Sequence, residues 1–343
     1  MKILLILTGG TICSFGDSDN LNRALDMAKA RRMLVDNFQK SDSQYKNEEF
    51  EVIQILDVLS ENMTVGSYNV IISSLKGIDF SLYKGVIIAH GTDTLAYTSA
   101  LMALILQNIS IPVFMVSSNR PLNSAGANGN CNFKTAVELI CAGIGKGVYV
   151  SYKNMDGRMY IHNAAHITQC GEYSEDFFSK DAFELTGCNY ITDKDILRDI
   201  AGWYYADSKV KGIQLNDIGR IKDDVLLIRP YVGLRYDIID INESVRIVVH
   251  QMYHSQTACT DTPGNETVNS ICYFAEKCKN NNIPLFVTPC FKDENIYSSS
   301  EKMKKSGVIP LYGMTLEMTY IKALISGTLC KSNEEIIRFM QEK

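Results

Sequence analysis

LLILTGGTI (Leu4–Ile12) and VIIAHGTDT (Val86–Thr94) are the two stretches of sequence that decide the fold of this chain. Each one is an apolar run followed by a tight turn that carries hydroxyl groups, a pattern typical of a buried parallel strand. In an open α/β sheet, ligands bind outside the carboxyl ends of the strands. We therefore expect Thr8, Thr11, Thr92 and Asp93 to surround a single pocket.

The rest of the first half repeats this alternation of strand and helix. It predicts an α/β fold with a mainly parallel, doubly wound sheet. Strands are predicted at Lys2–Leu7, Glu51–Leu56, Gly85–Ala89, Pro112–Val116 and Gly147–Ser151, and helices at Gly66–Leu75, Leu95–Leu106 and Asn132–Ala142. Residues 20–39 are interpreted as a mobile loop that leads into a surface helix.

The chain has 343 residues, which exceeds one average hydrophobic core and predicts two domains. We assign residues 1–191 to a catalytic α/β domain and 225–343 to a smaller α/β domain. Residues 192–224 are polar and irregular, contain the only tryptophan, Trp203, and are interpreted as the connection. In the second domain we predict strands at Val225–Ile228, Val245–Val249 and Leu285–Thr288, and helices at Asn265–Lys277 and Leu316–Ser326.

Composition narrows the class of protein. The net charge of -5 argues against nucleic acid or an anionic membrane as a partner. No apolar run reaches the length of a membrane span, and no export signal is recognisable, so we expect a cytoplasmic protein. The ten cysteines form no CxxC pair, which favours free thiols over a zinc site. No motif suggests a metal or an organic cofactor, and we expect none.

The two turns have more than one interpretation when each is taken alone. Thr11 could be a nucleophile, but a hydroxyl needs a base or proton relay to react, and the same turn could bind phosphate or simply end a strand. Asp93 or Thr94 could cap the helix that begins near Leu95. In DVLSENM (residues 57–63), Ser60 could contact a substrate or cap the next helix.

The combination of motifs narrows these alternatives. LTGGTI (residues 7–12) together with HGTDT (residues 90–94) resembles the L-asparaginase/glutaminase family of threonine amidohydrolases. Further segments are similar to those of the cytoplasmic members and of the asparaginase-like component of archaeal glutamyl-tRNA amidotransferase: residues 60–63, Asn119-Arg120-Pro121, residues 307–310, and Met314-Thr315 with Glu317. The resemblance covers nearly the whole chain in the same order and implies two asparaginase-like α/β domains.

The resemblance also implies roles for individual residues. Thr11 would be the nucleophile, Thr92 the second catalytic hydroxyl, and Asp93 would grip the α-amine and join the proton relay. Ser60 and Glu61 would bind the substrate α-carboxylate and α-amine, and backbone N–H groups near Gly91 and Thr92 would stabilise an oxyanion. The implied partner is a small amino-acid amide, L-asparagine first and L-glutamine second, and the implied assembly is a homodimer or homotetramer.

The sequence departs from the family pattern at two places. Where the family carries a relay lysine, counting nine residues back from Phe178 gives Gln169, which can hydrogen-bond but cannot carry charge. His162 or His166 could supply a titrating group instead. The segment from Cys13 to Ser43 also has no counterpart of the family's lid tyrosine, because Phe15 offers only a ring and the first tyrosine is Tyr45.

These departures motivate a second interpretation, a catalytically impaired homologue that binds an amino acid or regulates a partner. A third is a nucleotide-binding α/β protein that uses Gly9-Gly10 as a phosphate turn, but it leaves HGTDT unexplained. Tyr253 and His254 follow an apolar strand in the second domain. We expect them to line the site in this or a neighbouring protomer, the alternative being a loop that packs at a dimer contact.

Overall fold

The computed structural model of the protein divides the chain into two compact units, Met1–Asp217 and Ile218–Lys343. It describes residues 1–16, 23–180, 182–186, 194–207, 213–261, 267–290 and 297–342. The domain boundaries that composition suggested stay a prediction.

The first unit combines strands and helices in alternation. Its strands are β1 (Lys2–Gly9), β2 (Ser14–Gly16), β3 (Arg23–Leu25), β4 (Phe50–Val58), β5 (Tyr83–Ala89), β6 (Pro112–Val116), β7 (Gly147–Lys153), β8 (Met159–Asn163), β9 (Ile167–Thr168), β10 (Phe178–Ser179) and β11 (Ala182–Leu185). Its helices are α1 (Met27–Gln39), α2 (Val65–Lys76), α3 (Leu95–Leu106), α4 (Gly129–Ala142) and α5 (Lys194–Asp207).

A seven-stranded sheet in the order β11-β8-β7-β6-β5-β1-β4 forms the centre of the first unit. The five strands predicted from the sequence are β4, β1, β5, β6 and β7, and each pairs in parallel with its neighbours. The predicted α/β class is therefore confirmed. β8 and β11 extend the sheet antiparallel beyond β7. They were not predicted, because these short strands carry polar residues and lack a long apolar run.

The apolar runs of the strands supply the core. In β1 the side chains from Ile3 to Ile6 are fully buried, as expected for a strand covered on both faces. Helix α3 is also buried almost throughout, which explains why its sequence shows hardly any polar face. Helix α1 is the expected surface helix, since Arg31 and Asp36 are exposed whereas Ala30, Leu34 and Phe38 form a stripe buried in this core. The mobile loop predicted before it falls partly on residues 17–22, outside the described residues.

Helix α5 occupies a segment that composition indicated to be irregular. Its polar average conceals an apolar stripe, because Leu197, Ile200 and Tyr204 recur on one helical face and are buried in the core of the first unit. The Tyr204 hydroxyl also accepts a hydrogen bond from the backbone N–H of Val148, at 3.0 Å. Trp203 packs against the same core, so its fluorescence reports on this unit.

The second unit contains a four-stranded, fully parallel sheet in the order β12-β13-β14-β15. Its elements are β12 (Val225–Ile228), β13 (Ile247–Gln251), α6 (Ile271–Asn280), β14 (Leu285–Cys290), α7 (Ser298–Lys305), β15 (Ile309–Tyr312), α8 (Leu316–Leu329) and α9 (Asn333–Gln341). Helix α6 begins later than predicted, because the Ser270 side chain accepts from the backbone N–H of Cys272 and caps the helix there.

Candidate active site

The two threonine-bearing turns leave the sheet side by side. β1 and β5 are parallel neighbours with Leu7 opposite Ala89, so both chains turn at the same edge. The Thr8 hydroxyl donates to the carbonyl oxygen of Ala89 at 2.9 Å and ties the two strand ends together. On the other side of β1, the backbone N–H of Gly10 donates to the carbonyl oxygen of Val58 at the end of β4, at 3.0 Å. Three strand ends therefore converge at this edge.

Glycine is what allows these turns to touch. A Cβ on Gly10 would lie 2.2 Å from the Cα of Gly91, and a Cβ on Gly91 would lie 2.4 Å from the Ser60 Oγ. Gly10 also has φ 78, a left-handed conformation that strains other residues. The turns after β1 and β5 thus pack backbone against backbone, and the turn after β5 packs against the Ser60 side chain of the turn after β4. The structure brings the turn of Thr11 against that of Thr92 and Asp93.

Asp93 and Thr94 both reach across to the segment after β4. The Ser60 hydroxyl donates to Oδ2 of Asp93 at 2.9 Å, and the Thr94 hydroxyl donates to the Ser60 carbonyl oxygen at 3.0 Å. Thr94 occupies the position that precedes α3, yet its side chain makes no capping hydrogen bond. Helix capping, the simpler interpretation of these two residues, therefore does not explain their side chains.

Ser60 does not cap the following helix either. It is buried in a short 3-10 turn, Ser60–Asn62, whereas α2 is capped by Thr64, which exchanges hydrogen bonds with Ser67. The Ser60 hydroxyl has one proton and gives it to Asp93, so a substrate carboxylate has to compete for it. Glu61, the other predicted recognition residue in this turn, is exposed.

Gln169 lies at the same site. It follows β9, and its side-chain N–H donates to the carbonyl oxygen of Asp93 at 2.9 Å. Asp93 is consequently held through its backbone by Gln169 and through its carboxylate by Ser60. An amide at this position fixes the turn but can neither carry charge nor accept a proton near neutral pH.

A cavity of about 330 Å³ opens beside Asp93. This volume is at the small end of the range for ligand pockets. It is lined by Thr92, Asp93, Asn119, Tyr152, Gln169, Cys170, Ser174 and Glu175. Tyr152 and Glu175 were missed in the sequence. Tyr152 lies one residue beyond the predicted end of β7, at the edge of the sheet where ligands bind, and this position could have identified it.

His90 is buried beneath the second turn. Its Nδ1 lies 2.8 Å from the Gly91 carbonyl oxygen, which can only accept, so Nδ1 carries the proton and Nε2 accepts from the Thr98 hydroxyl at 2.9 Å. Burial lowers the pKa of His90 to about 4, and that of His162 to about 3. His162 makes its hydrogen bond with Ser179, and its Nε2 is buried without a partner among the described residues, so the structure gives no support to the idea that it replaces the lysine.

The buried histidines make the first unit sensitive to acid. The pKa of His90 is near 6.5 in the unfolded chain and about 4 in the fold, so the unfolded state binds more protons between these values. The free energy of unfolding should therefore fall as the pH drops from 6.5 to 4, by about 3 kcal/mol for His90 alone. Urea unfolding followed by Trp203 fluorescence at several pH values measures this free energy. His90→Gln should make the free energy of unfolding depend less on pH between 6.5 and 4. The same pH dependence in that variant and in the wild type would contradict the role given to His90.

Two further points from the sequence concern a tyrosine of the first unit and a loop of the second unit. Tyr45 packs against the core and lines a depression with Met1, at the amino ends of the strands, so it cannot act as a lid. Tyr253 and His254 are exposed in the turn after β13, in the second unit, and their part in the site stays a prediction. Among the described residues, no cluster of three or more His, Cys, Asp or Glu side chains is arranged to hold a metal ion.

Comparison with known proteins identifies the family and the fold of the chain. The model of the family described as "Asparaginase, N-terminal" matches residues 2–196. The chain belongs to the asparaginase family. Three solved L-asparaginases have a similar fold, and each comparison covers 100% of this chain. The L-asparaginase of Thermococcus kodakarensis has a TM-score of 0.73 at 20% identity, with 98% of its chain covered, and L-asparaginase I of Vibrio cholerae has a TM-score of 0.69 at 17% identity, with 97% covered. A probable cytoplasmic L-asparaginase of Campylobacter jejuni has a TM-score of 0.65 at 16% identity, with 99% covered.

Curated relatives of this asparaginase-family chain bear a different name, that of one component of glutamyl-tRNA(Gln) amidotransferase. The relative from Methanococcus maripaludis is 26% identical over 79% of this chain, and the relative from Thermoplasma volcanium is 24% identical over 95%. The chain spans 63% of the length of the Methanococcus relative and 75% of the Thermoplasma one. Within the described ranges, none of the helices combines the length and apolar character that a bilayer crossing requires.

Proposed function

We propose that this protein hydrolyses the side-chain amide of L-asparagine, with L-glutamine as the second candidate, to the acid and ammonia. One observation carries the proposal. The glycine contact between Gly10 and Gly91 joins the turn of Thr11 to the turn of Thr92 and Asp93. The proposed nucleophile, second hydroxyl and carboxylate thereby share one sheet edge. Thr92 and Asp93 line the cavity of about 330 Å³, whereas Thr8 and Thr11, which we expected around the same pocket, are not among its lining residues, and Thr11 lies in the turn that packs against theirs.

The proposed chemistry uses the threonine hydroxyl as a nucleophile. The Thr11 Oγ forms a bond to the amide carbon, and the carbonyl oxygen takes up the negative charge, stabilised by backbone N–H groups near Gly91 and Thr92. The C–N bond then breaks, the hydroxyl proton reaches the leaving nitrogen through Thr92 or solvent, and ammonia departs. Water hydrolyses the resulting ester and restores Thr11. Asp93 holds the substrate ammonium, and Ser60 and Glu61 bind the α-carboxylate and the α-amine.

A second function is favoured by one specific observation. Gln169 contacts Asp93 at the place where the family carries its relay lysine, and an amide cannot shuttle a proton. A protein that binds an amino acid without turning it over is therefore the competing candidate. For either function we propose that the protein is a homodimer or homotetramer. Sedimentation equilibrium of the full chain measures the number of protomers.

Ammonia release from L-asparagine and L-glutamine separates the two candidates. We expect the wild-type chain to release ammonia from L-asparagine, and Gln169→Lys to increase kcat, because it adds a group that can transfer a proton. A contribution of roughly 100-fold is typical of a general base. The rate should then rise with pH as the new amine loses its proton, whereas the wild type should lack that dependence.

Gln169→Leu is the control for packing, since it removes the hydrogen bond to Asp93 without adding an amine. Wild-type chain that binds L-asparagine in calorimetry but releases no ammonia would favour the binding protein over the amidohydrolase. Absence of both binding and turnover would refute both candidates.

A further inference from the structure

Glu175 is a carboxylate of the cavity that the proposed reaction does not use. It belongs to the loop between β9 and β10 and lines the same cavity as Asp93. Its position is set by neighbours outside that loop. The Asn119 side-chain N–H donates to Oε2 of Glu175 at 2.8 Å, and the Tyr152 hydroxyl donates to the Glu175 carbonyl oxygen at 2.9 Å.

Asn119 is itself fixed. Its backbone N–H donates to Oδ1 of Asn128 at 2.9 Å, and the backbone N–H of Asn128 donates to Oδ1 of Asn119 at 3.0 Å. This reciprocal pair leaves the Asn119 side-chain N–H directed at Glu175. The carboxylate of Glu175 is therefore anchored to the segment after β6 and not only to its own loop.

The charge of the cavity is negative. Asp93 and Glu175 are carboxylates, and none of the described residues that line the cavity is a lysine, arginine or histidine. The guanidinium of Arg120 approaches Glu175 only to 4.0 Å, between Nε and Oε1, and its side chain is 51% exposed and so strongly screened by water. With glutamine at residue 169, the lining contributes no positive charge to balance the two carboxylates.

We propose that Glu175 is a second recognition carboxylate that makes the site selective for carboxamides with an ammonium group and no net negative charge. This inference rests on the proposed amidohydrolase site and names its substrate class. Asp93 binds the ammonium group of the substrate. Glu175 then adds to the attraction for that positive charge and disfavours ligands in which a carboxylate is not accompanied by an ammonium group.

Two amides derived from L-asparagine test the selectivity directly. β-Alaninamide lacks only the α-carboxylate of L-asparagine and is cationic, whereas succinamate lacks only the α-ammonium and is anionic. The measured quantity is the ratio of kcat/KM for β-alaninamide to kcat/KM for succinamate. We expect Glu175→Gln, which keeps an acceptor for Asn119, to lower this ratio roughly fivefold, as befits a partly exposed charge. Glu175→Lys should lower it further.

Glu172→Gln is the matched control, because Glu172 is an exposed residue of the same loop and does not line the cavity. For this variant, the ratio of kcat/KM for β-alaninamide to kcat/KM for succinamate should equal that of the wild type. An unchanged ratio in Glu175→Gln, or an equal fall in the control, would overturn the inference.

Binding of both amides to Thr11→Ala, measured by calorimetry, tests the same ratio without turnover. Selective binding that depends on Glu175, with no ammonia released by the wild type, would refute the hydrolytic function and keep the inference. If L-asparagine is turned over but the selectivity does not depend on Glu175, the hydrolytic function stands and the inference is overturned. If neither amide binds, the inference is also overturned.

Discussion

Thr11→Ala should abolish the release of ammonia from L-asparagine while the protein keeps its fold and still binds the substrate. The proposed acyl-enzyme forms on the Thr11 oxygen, and alanine has no atom that can replace it. Loss of a nucleophile typically lowers kcat by several orders of magnitude, roughly 10⁴-fold or more. Initial rates of ammonia production, with binding of L-asparagine measured by calorimetry, give both quantities.

The result is informative because of the position of Thr11. It opens the short 3-10 turn Thr11–Cys13, where its carbonyl oxygen accepts from the hydroxyl of Ser14 at 3.0 Å. That contact uses the backbone and survives the substitution, so little change in stability is expected. Thr92→Ala is the comparison variant, since it removes the second hydroxyl of the site. Turnover that persists in Thr11→Ala but disappears in Thr92→Ala would move the nucleophile to the second turn.

Gly10→Ala should destabilise the first unit strongly. A methyl group at residue 10 would lie 2.2 Å from the Gly91 Cα. The backbone fixes the positions of both atoms, so no rotamer change can separate them. The turns after β1 and β5 would have to separate. We expect the free energy of unfolding to fall by roughly 3 kcal/mol beyond the cost of the backbone conformation. Urea unfolding followed by Trp203 fluorescence measures it, since Trp203 packs in this unit.

Gly157→Ala is the control for a positive φ. Gly157 has φ +82, against +78 for Gly10, but a Cβ there would meet nothing within 4 Å. Both variants therefore place an alanine at a positive φ, whereas only Gly10→Ala adds the collision, and it does so at ψ -174, a backbone conformation that is essentially restricted to glycine. Equal destabilisation of the two variants would mean that the turns are not in contact in solution.

The inner strands β1, β5 and β6 could be predicted from sequence because burial on both faces gives each one a nearly uninterrupted apolar run. The edge strand β4 is only half-buried, and its apolar residues are interrupted by Glu51 and Gln54. The same reasoning placed Thr11, Thr92 and Asp93 at one edge, since parallel strands end together. It could not choose between capping and catalysis for Asp93 and Thr94. That choice depends on Ser60, which is distant in sequence and reaches them only in the folded chain.

Other features had no local signal. Helix α5 was not predicted because its segment is polar on average. β8 and β11 were not predicted because they are short and mix polar with apolar residues. Glu175 lies in a loop without a motif, and only its hydrogen bond with Asn119 shows that its carboxylate is held in place. Gln169 was located by counting from Phe178, but its contact with the Asp93 carbonyl oxygen required the folded chain.

The hydrogen bonds that hold Asp93 have a further consequence. Gln169 fixes its backbone and Ser60 fixes its carboxylate through contacts within the protein itself, so much of the conformational entropy of this residue is lost on folding. Binding then loses less free energy to the ordering of Asp93. The protein is preorganised at the residue proposed to grip the substrate, and the rigidity of that turn contributes to affinity even where a proton-transferring side chain is missing.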